Sequence, residues 1–316
     1  MSEGARITSE RGRGISVSTE AEQILGAWRE SAKYWTKHRR IVRAMFAPIT
    51  AAMIEDAGIG AGQTILDVAG GTGEPSLTLS EIVGAGGWVT YTDAIPEMVE
   101  AARTESERKE LSNLSFHQCL ADSLPFDAAS FDVVTCRLGV MLFPQPSTAV
   151  REMLRVTKPG GRIVLAVWHT TEANPFFSSI TDVIGRYVES PPTEPEAPGA
   201  FRFAEHGLLA RLVEEAGVAE VGNRVFNFKL EAPLSIDEFW PLRVELSDTL
   251  REKTAMLSRT QLAGVVEDVR AMVREFFSES GMSFPASTII VTGRKPVSRT
   301  QVYGNSLSGS VRKTHV

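Results

Sequence analysis

The residues able to do chemistry gather first around one run, Thr64-Ile65-Leu66-Asp67-Val68-Ala69-Gly70-Gly71-Thr72-Gly73-Glu74-Pro75-Ser76. Glycine-rich backbone of this kind lets a ligand lie against bare peptide, because no Cβ holds it off. Asp67 stands before the glycines and Glu74 after them. A third acid, Asp93, follows about twenty residues beyond the turn, the distance at which a carboxylate accepts ribose hydroxyls. A dinucleotide would set its pyrophosphate on this turn, where a helix N-terminus favours anions. Asp67 and Glu74 oppose that by like-charge repulsion, and Ser76 replaces the third glycine of G-x-G-x-x-G. A nucleoside ligand with no phosphate and a positive centre suits the turn better.

These groups need a sheet to hold them. Ile65, Leu66 and Val68 form an apolar run too short for a helix and read as a buried strand. Leu77, Leu79, Ile82 and Val83 then recur at helical spacing, which completes the strand, turn and helix that open a nucleotide-binding α/β sheet. Trp88 to Asp93 is a second strand, and Pro96, Met98, Val99 and Ala102 start the next helix. Leu114 to Cys119 is a third strand, followed by the loop Ala121-Asp122-Ser123-Leu124-Pro125-Phe126, and Phe131 to Cys136 is a fourth. Lys158-Pro159-Gly160-Gly161 is a turn signal, and Arg162 to Trp168 is the fifth strand. Ligands of open α/β sheets bind outside the carboxyl ends of the strands. That places Arg137 and Met141, just past the fourth strand, at the rim of a site.

The run from Thr64 resembles motif I of the class I S-adenosylmethionine-dependent methyltransferases, usually (V/I)LD-x-G-x-G-x-G. D-A-I-P-E-M-V-E-A-A-R from Asp93 and L-R-V-T-K-P-G-G-R-I-V-L from Leu154 resemble later motifs of that family. Together they cover residues 60 to 170. With Asn174-Pro175-Phe176-Phe177 and a late helical insert, the chain is similar to the ubiquinone/menaquinone C-methyltransferase-like group. It departs at the first glycine, which is Ala69 here, so that position is expected to need no positive φ.

The resemblance implies an α/β, Rossmann-like seven-stranded sheet, six strands parallel and the last antiparallel, with helices on both faces. It implies S-adenosylmethionine held by Asp67, Ala69, Gly71, Gly73, Asp93, Ala94, Met98, Asp122, Ser123 and Arg137. Asp122 would take the adenine amino group, and the backbone of Ser123 would meet the ring. The methyl would pass in line to a small-molecule carbon or oxygen. His169, just past the fifth strand, is the best-placed histidine to act as a catalytic base. Tyr34, Trp35, Met141, Trp168, Phe201 and Phe203 are the expected substrate pocket and suit a hydrophobic or aromatic acceptor. An NAD(P)-dependent reductase is the rival disfavoured by the acids of the turn, and a non-catalytic S-adenosylmethionine-binding protein is the other.

The rest of the chain frames this domain. A net charge of −6 and the lack of a basic cluster argue against a nucleic-acid partner. Cys119 and Cys136 fall in apolar runs and read as core residues, not metal ligands. No run has the length of a transmembrane span and no signal-peptide core is present, which predicts a cytoplasmic protein. Residues 1–18 and 297–316 are polar and expected to be disordered, leaving 19–296 as the catalytic domain. Two helices are expected from Thr19, the second ending near Gly58, either packed on the sheet or capping the ligand. A helix through Tyr187, a Pro-rich loop from Pro191 to Pro198, a helix from Glu205 to Ala216 and a sixth strand from Val218 to Leu230 follow. Between residues 233 and 284, Leu262, Val265, Val266, Val269, Met272, Val273 and Phe276 keep a 3.6-residue period. That face predicts a lid or an association surface, the latter giving a homodimer. Thr288 to Thr292 is the expected seventh strand.

Overall fold

The computed structural model describes residues 19–189 and 196–297. The segments expected to be disordered, 1–18 and all but the first residue of 297–316, lie outside the described residues, as does most of the Pro-rich loop. Helix α1 (Thr19–Lys37) leads directly into α2 (Arg39–Ala57). α2 stops at Gly58, which turns left-handed at φ 59° and returns its N–H to the Glu55 carbonyl.

The sheet is laid down by β1 (Thr64–Val68), β2 (Trp88–Asp93), β3 (Leu114–Gln118), β4 (Phe131–Arg137), β5 (Thr157–Trp168), β6 (Ala219–Ala232), β7 (Phe277–Ser278) and β8 (Gly281–Arg294). The strand order is β3-β2-β1-β4-β5-β8-β6, and β8 runs antiparallel to both β5 and β6. The expected topology is therefore present, with a two-residue β7 added as a hairpin on β8. Ile163 through Val167 are all buried in succession, although neighbouring residues of a strand point to opposite faces. Both faces of the sheet are thus covered. Lys158 to Gly161 leaves the ladder between Thr157, opposite Phe131, and Arg162, opposite Val133, with Gly160 at φ 77°. The strand resumes after this turn.

Helices α3 (Ser76–Val83), α4 (Pro96–Arg108), α5 (Pro146–Val156), α6 (Pro175–Ile184) and α7 (Leu208–Glu215) accompany the strands. The insert folds as α8 (Ile236–Glu245), α9 (Asp248–Ala255) and α10 (Arg259–Val273). Ser258 and Gln261 form a capping box that starts α10. The last long strand begins at Gly281 and not near Thr288, so the insert is shorter than its expected bounds. Val265, Val269 and Val273 are fully buried, and α10 packs on α6 and α8. These three valines of the periodic face are thus consumed within the chain, while Leu262, Val266 and Phe276 are half-buried and Met272 is exposed. Among the described residues no helix is long and apolar enough to cross a membrane.

Candidate active site

The glycine turn leaves β1 and immediately corrects one expectation. Ala69 does adopt a positive φ, 59°, the left-handed region that disfavours a Cβ by roughly 1–2 kcal/mol. The tight exit from β1 imposes the conformation whatever residue is present. It is tolerated because Gly139 faces it: a Cβ on Gly139 would stand 2.8 Å from the Ala69 methyl. Gly71, at φ 55°, is different, since a Cβ there would meet nothing within 4 Å. Its bare backbone opens onto free space, as a ligand cradle requires. Tyr91 of β2 supports the turn from below. Its ring fills the room a Gly70 Cβ would need, and its hydroxyl donates to the Gly71 carbonyl at 2.6 Å. Sequence reasoning missed this residue, although its register opposite Asp67 is the available signal.

The acids at the turn divide their work. Asp67 is fully buried and accepts from Ser76 Oγ at 2.6 Å and Thr135 Oγ1 at 3.0 Å. Burial raises its pKa to about 6. It braces the turn from inside. Asp93 accepts from the Gly71 N–H and the Ile95 N–H, both at 2.9 Å, and burial likewise raises it to about 6. A carboxylate has about four acceptor sites, so some capacity remains beyond these backbone donors. Glu74 is not a bare charge: Arg43 Nε lies 2.9 Å away, and Thr78 donates to it. The case against a pyrophosphate therefore rests on Asp67 and on Ser76 in place of the third glycine.

Arg137, at the end of β4, is half-buried and spends its guanidinium structurally. It donates to Thr50 Oγ1 of α2 at 2.7 Å and to the Glu74 carbonyl at 2.8 Å, over the Phe46 ring. Burial lowers its pKa, and the Glu74 and Asp67 charges oppose that shift. This residue ties α2 to the glycine turn. Past Asp93, Ala94 leads into α4, where Met98 is buried under Ala32, Trp28 and Trp35 of α1. The two expectations for the N-terminal helices are thus split: α2 lies on the sheet, while α1 covers the start of α4. Asp122 is half-buried and Ser123 exposed in the loop after β3. That loop is anchored by Leu124 N–H on Glu152 and by Arg155 on the Leu124 and Phe126 carbonyls.

The expected pocket residues assemble in part. Trp168, 3% exposed at the end of β5, has the rings of Phe46, Phe177 and Phe228 at centroid distances of 5.6, 4.9 and 6.4 Å. Phe177 in turn lies 5.5 Å from Phe201. Gly199 N–H donates to the Met141 carbonyl and brings the segment carrying Phe201 and Phe203 to the end of β4. Tyr34 instead lies under Arg251 of α9, and Trp35 pairs with Trp28. His169 continues the ladder, its N–H on the Ser287 carbonyl and its Nδ1 3.4 Å from Ser287 Oγ. Strand alternation directs its ring to the face opposite Trp168. Phe46, Phe177, Phe228 and Arg243 of α8 belong to this wall and were not singled out by sequence. Arg243 lies over both Phe176 and Phe177. A continuous path results: Glu74 carbonyl, Arg137, Phe46, Trp168, Phe177, Phe201.

Residues 49–187 match the sequence model of the ubiE/COQ5 methyltransferase family. The ubiquinone/menaquinone biosynthesis C-methyltransferase UbiE of Shewanella sediminis is 31% identical over 168 residues, covering 52% of this chain and 67% of that protein. The Shewanella woodyi enzyme of the same name is 32% identical over the same shares. Among solved structures, the YcgJ protein of Bacillus subtilis superposes with a TM-score of 0.52 at 21% identity, over 78% of this chain and 98% of that one. This last likeness is one of fold.

Proposed function

The chain belongs to the ubiE/COQ5 methyltransferase family and is an S-adenosylmethionine-dependent methyltransferase, and from that premise we propose that it methylates carbon or oxygen of a small hydrophobic or aromatic molecule held against Trp168. The observation that carries this reading is the ring wall at the carboxyl end of β5, joined to the glycine turn through Arg137 and Phe46. In it, Asp93 uses its free acceptor sites for the ribose hydroxyls. Gly71 leaves the backbone bare along the ligand, Gly73 lets the turn close against Leu77 and Ala102, and the Asp122–Ser123 loop meets the adenine. Asp67, Ala69, Tyr91 and Arg137 shape and fasten the turn without needing to reach the ligand.

S-adenosylmethionine supplies an activated methyl group, so the protein need form no covalent bond with either reactant. What these residues do is hold the acceptor in line and keep water from it, which can supply much of such a rate enhancement. Trp168, Phe46, Phe177 and Phe201 provide flat apolar surface for that purpose. His169, on the other face, is given no proton to move.

Incubating the protein with methyl-labelled S-adenosylmethionine and a metabolite extract tests the reading. Label should appear in a small molecule that partitions into organic solvent. Tight binding of S-adenosylhomocysteine with no transfer to any component would contradict it.

A further inference from the structure

Arg243 is a buried charge that no anion among the described residues answers. It is 6% exposed, and its guanidinium stands 4.3 Å from the Phe176 ring centroid and 4.8 Å from that of Phe177. Its Nε is buried with no partner, and among the described residues no carboxylate or carbonyl accepts from the guanidinium. Other arginines of the chain are answered locally. Arg155 has Glu152 and two carbonyls, and Arg224 has both oxygens of Asp56. Burial lowers the Arg243 pKa to about 9, which still leaves it charged at neutral pH. Taking such a charge out of water is costly, and ring faces recover only about 0.5–2 kcal/mol each. No anion of the described residues balances this charge.

Its location says what the anion is for. Phe177, beneath the guanidinium, is the ring next to both Trp168 and Phe201. Arg243 comes from the insert, beyond the residues 49–187 that match the family. We propose that the methyl acceptor carries a carboxylate, and that Arg243 receives it at the end of the ring wall. This rests on the reading that the acceptor lies against Trp168. A planar guanidinium matches a carboxylate with two parallel hydrogen bonds. One cation among phenylalanines balances one negative charge, whereas a phosphate dianion would leave a charge uncompensated in apolar surroundings.

The test pairs aromatic acids with their carboxamides: benzoic, cinnamic, salicylic and 3,4-dihydroxybenzoic acid. Each is titrated calorimetrically into protein loaded with S-adenosylhomocysteine. At least one acid should bind about tenfold or more tighter than its amide, the range expected for hydrogen bonds to a charged group. Arg243→Met should bring acid and amide to parity while S-adenosylhomocysteine binds as before. Arg243→Lys should keep part of the preference. Loaded wild-type protein that shows no acid preference across the set overturns the proposal, as does a preference that survives Arg243→Met. Should Arg243→Met not fold, the wild-type comparison and Arg243→Lys decide. Failure of the underlying reading looks different: no S-adenosylhomocysteine binding, or no label transfer to any acceptor.

Discussion

The glycine turn and the α6–α8 wall handle buried charge in opposite ways. At the turn, Asp67 has Ser76 and Thr135, and Asp93 has two backbone N–H groups. At the wall, Arg243 has two aromatic rings and no anion. A turn satisfied by its own neighbours keeps its shape before any ligand arrives, which suits a cofactor common to the family. A wall with an open electrostatic demand selects what enters it. Preorganisation on one side and selection on the other meet at Phe46 and Trp168.

The strongest way to break this comparison is to remove the meeting point. Trp168→Ala should cost about 3–5 kcal/mol of stability, as for a large buried aromatic, and abolish transfer. S-adenosylhomocysteine binding should persist in the folded fraction. Denaturant titration and calorimetry check the two halves separately, and loss of cofactor binding in folded protein would show that they are not separable. Next in size, Asp93→Ala should weaken S-adenosylhomocysteine binding by about 1–3 kcal/mol. An unchanged dissociation constant would remove Asp93 from the ribose.

Acidity sharpens the contrast without mutation. Asp93 and Asp67 both have folded pKa values of about 6, raised by burial from 3.8. Their contribution to stability is full below the unfolded value and is lost as pH rises through 6. Lowering the pH from 7 to 5 should therefore favour folding through these groups while weakening cofactor binding, because a protonated Asp93 loses its charge. Melting temperature and S-adenosylhomocysteine affinity measured across that range should move in opposite directions. The smallest effect belongs to Ala69→Gly, which relieves a left-handed alanine and should stabilise the protein by about 1 kcal/mol. Gly139→Ala should do the reverse, since its Cβ would crowd Ala69.

How much of this was legible in the sequence follows from how local each feature is. The strands are readable as short apolar or alternating runs, and the cofactor turn as glycines between a strand and a helix. Ala69 misled because the space that tolerates it belongs to Gly139, far along the chain. β8 extends beyond the run Thr288 to Thr292 and passes through Pro285, a residue type that usually argues against a ladder position. It pairs with Lys229 on the neighbouring strand nonetheless. The ring wall draws Phe46 from α2, Phe177 from α6 and Phe228 from β6. Periodicity shows that such residues are buried but not that they face one another. Arg243 was the least legible, since an arginine on a helix reads as a solvated side chain until its burial is seen.

The cofactor should lie along the glycine turn with its sulfur directed toward the Trp168 wall. A crystal structure of the protein with S-adenosylhomocysteine tests this most directly. The expected result is ribose hydroxyls on Asp93, backbone of Gly71 against the ligand, and the sulfur facing the space beside Phe46 and Trp168. A nucleoside seated elsewhere, with Asp93 bonded only to Gly71 and Ile95, would contradict it.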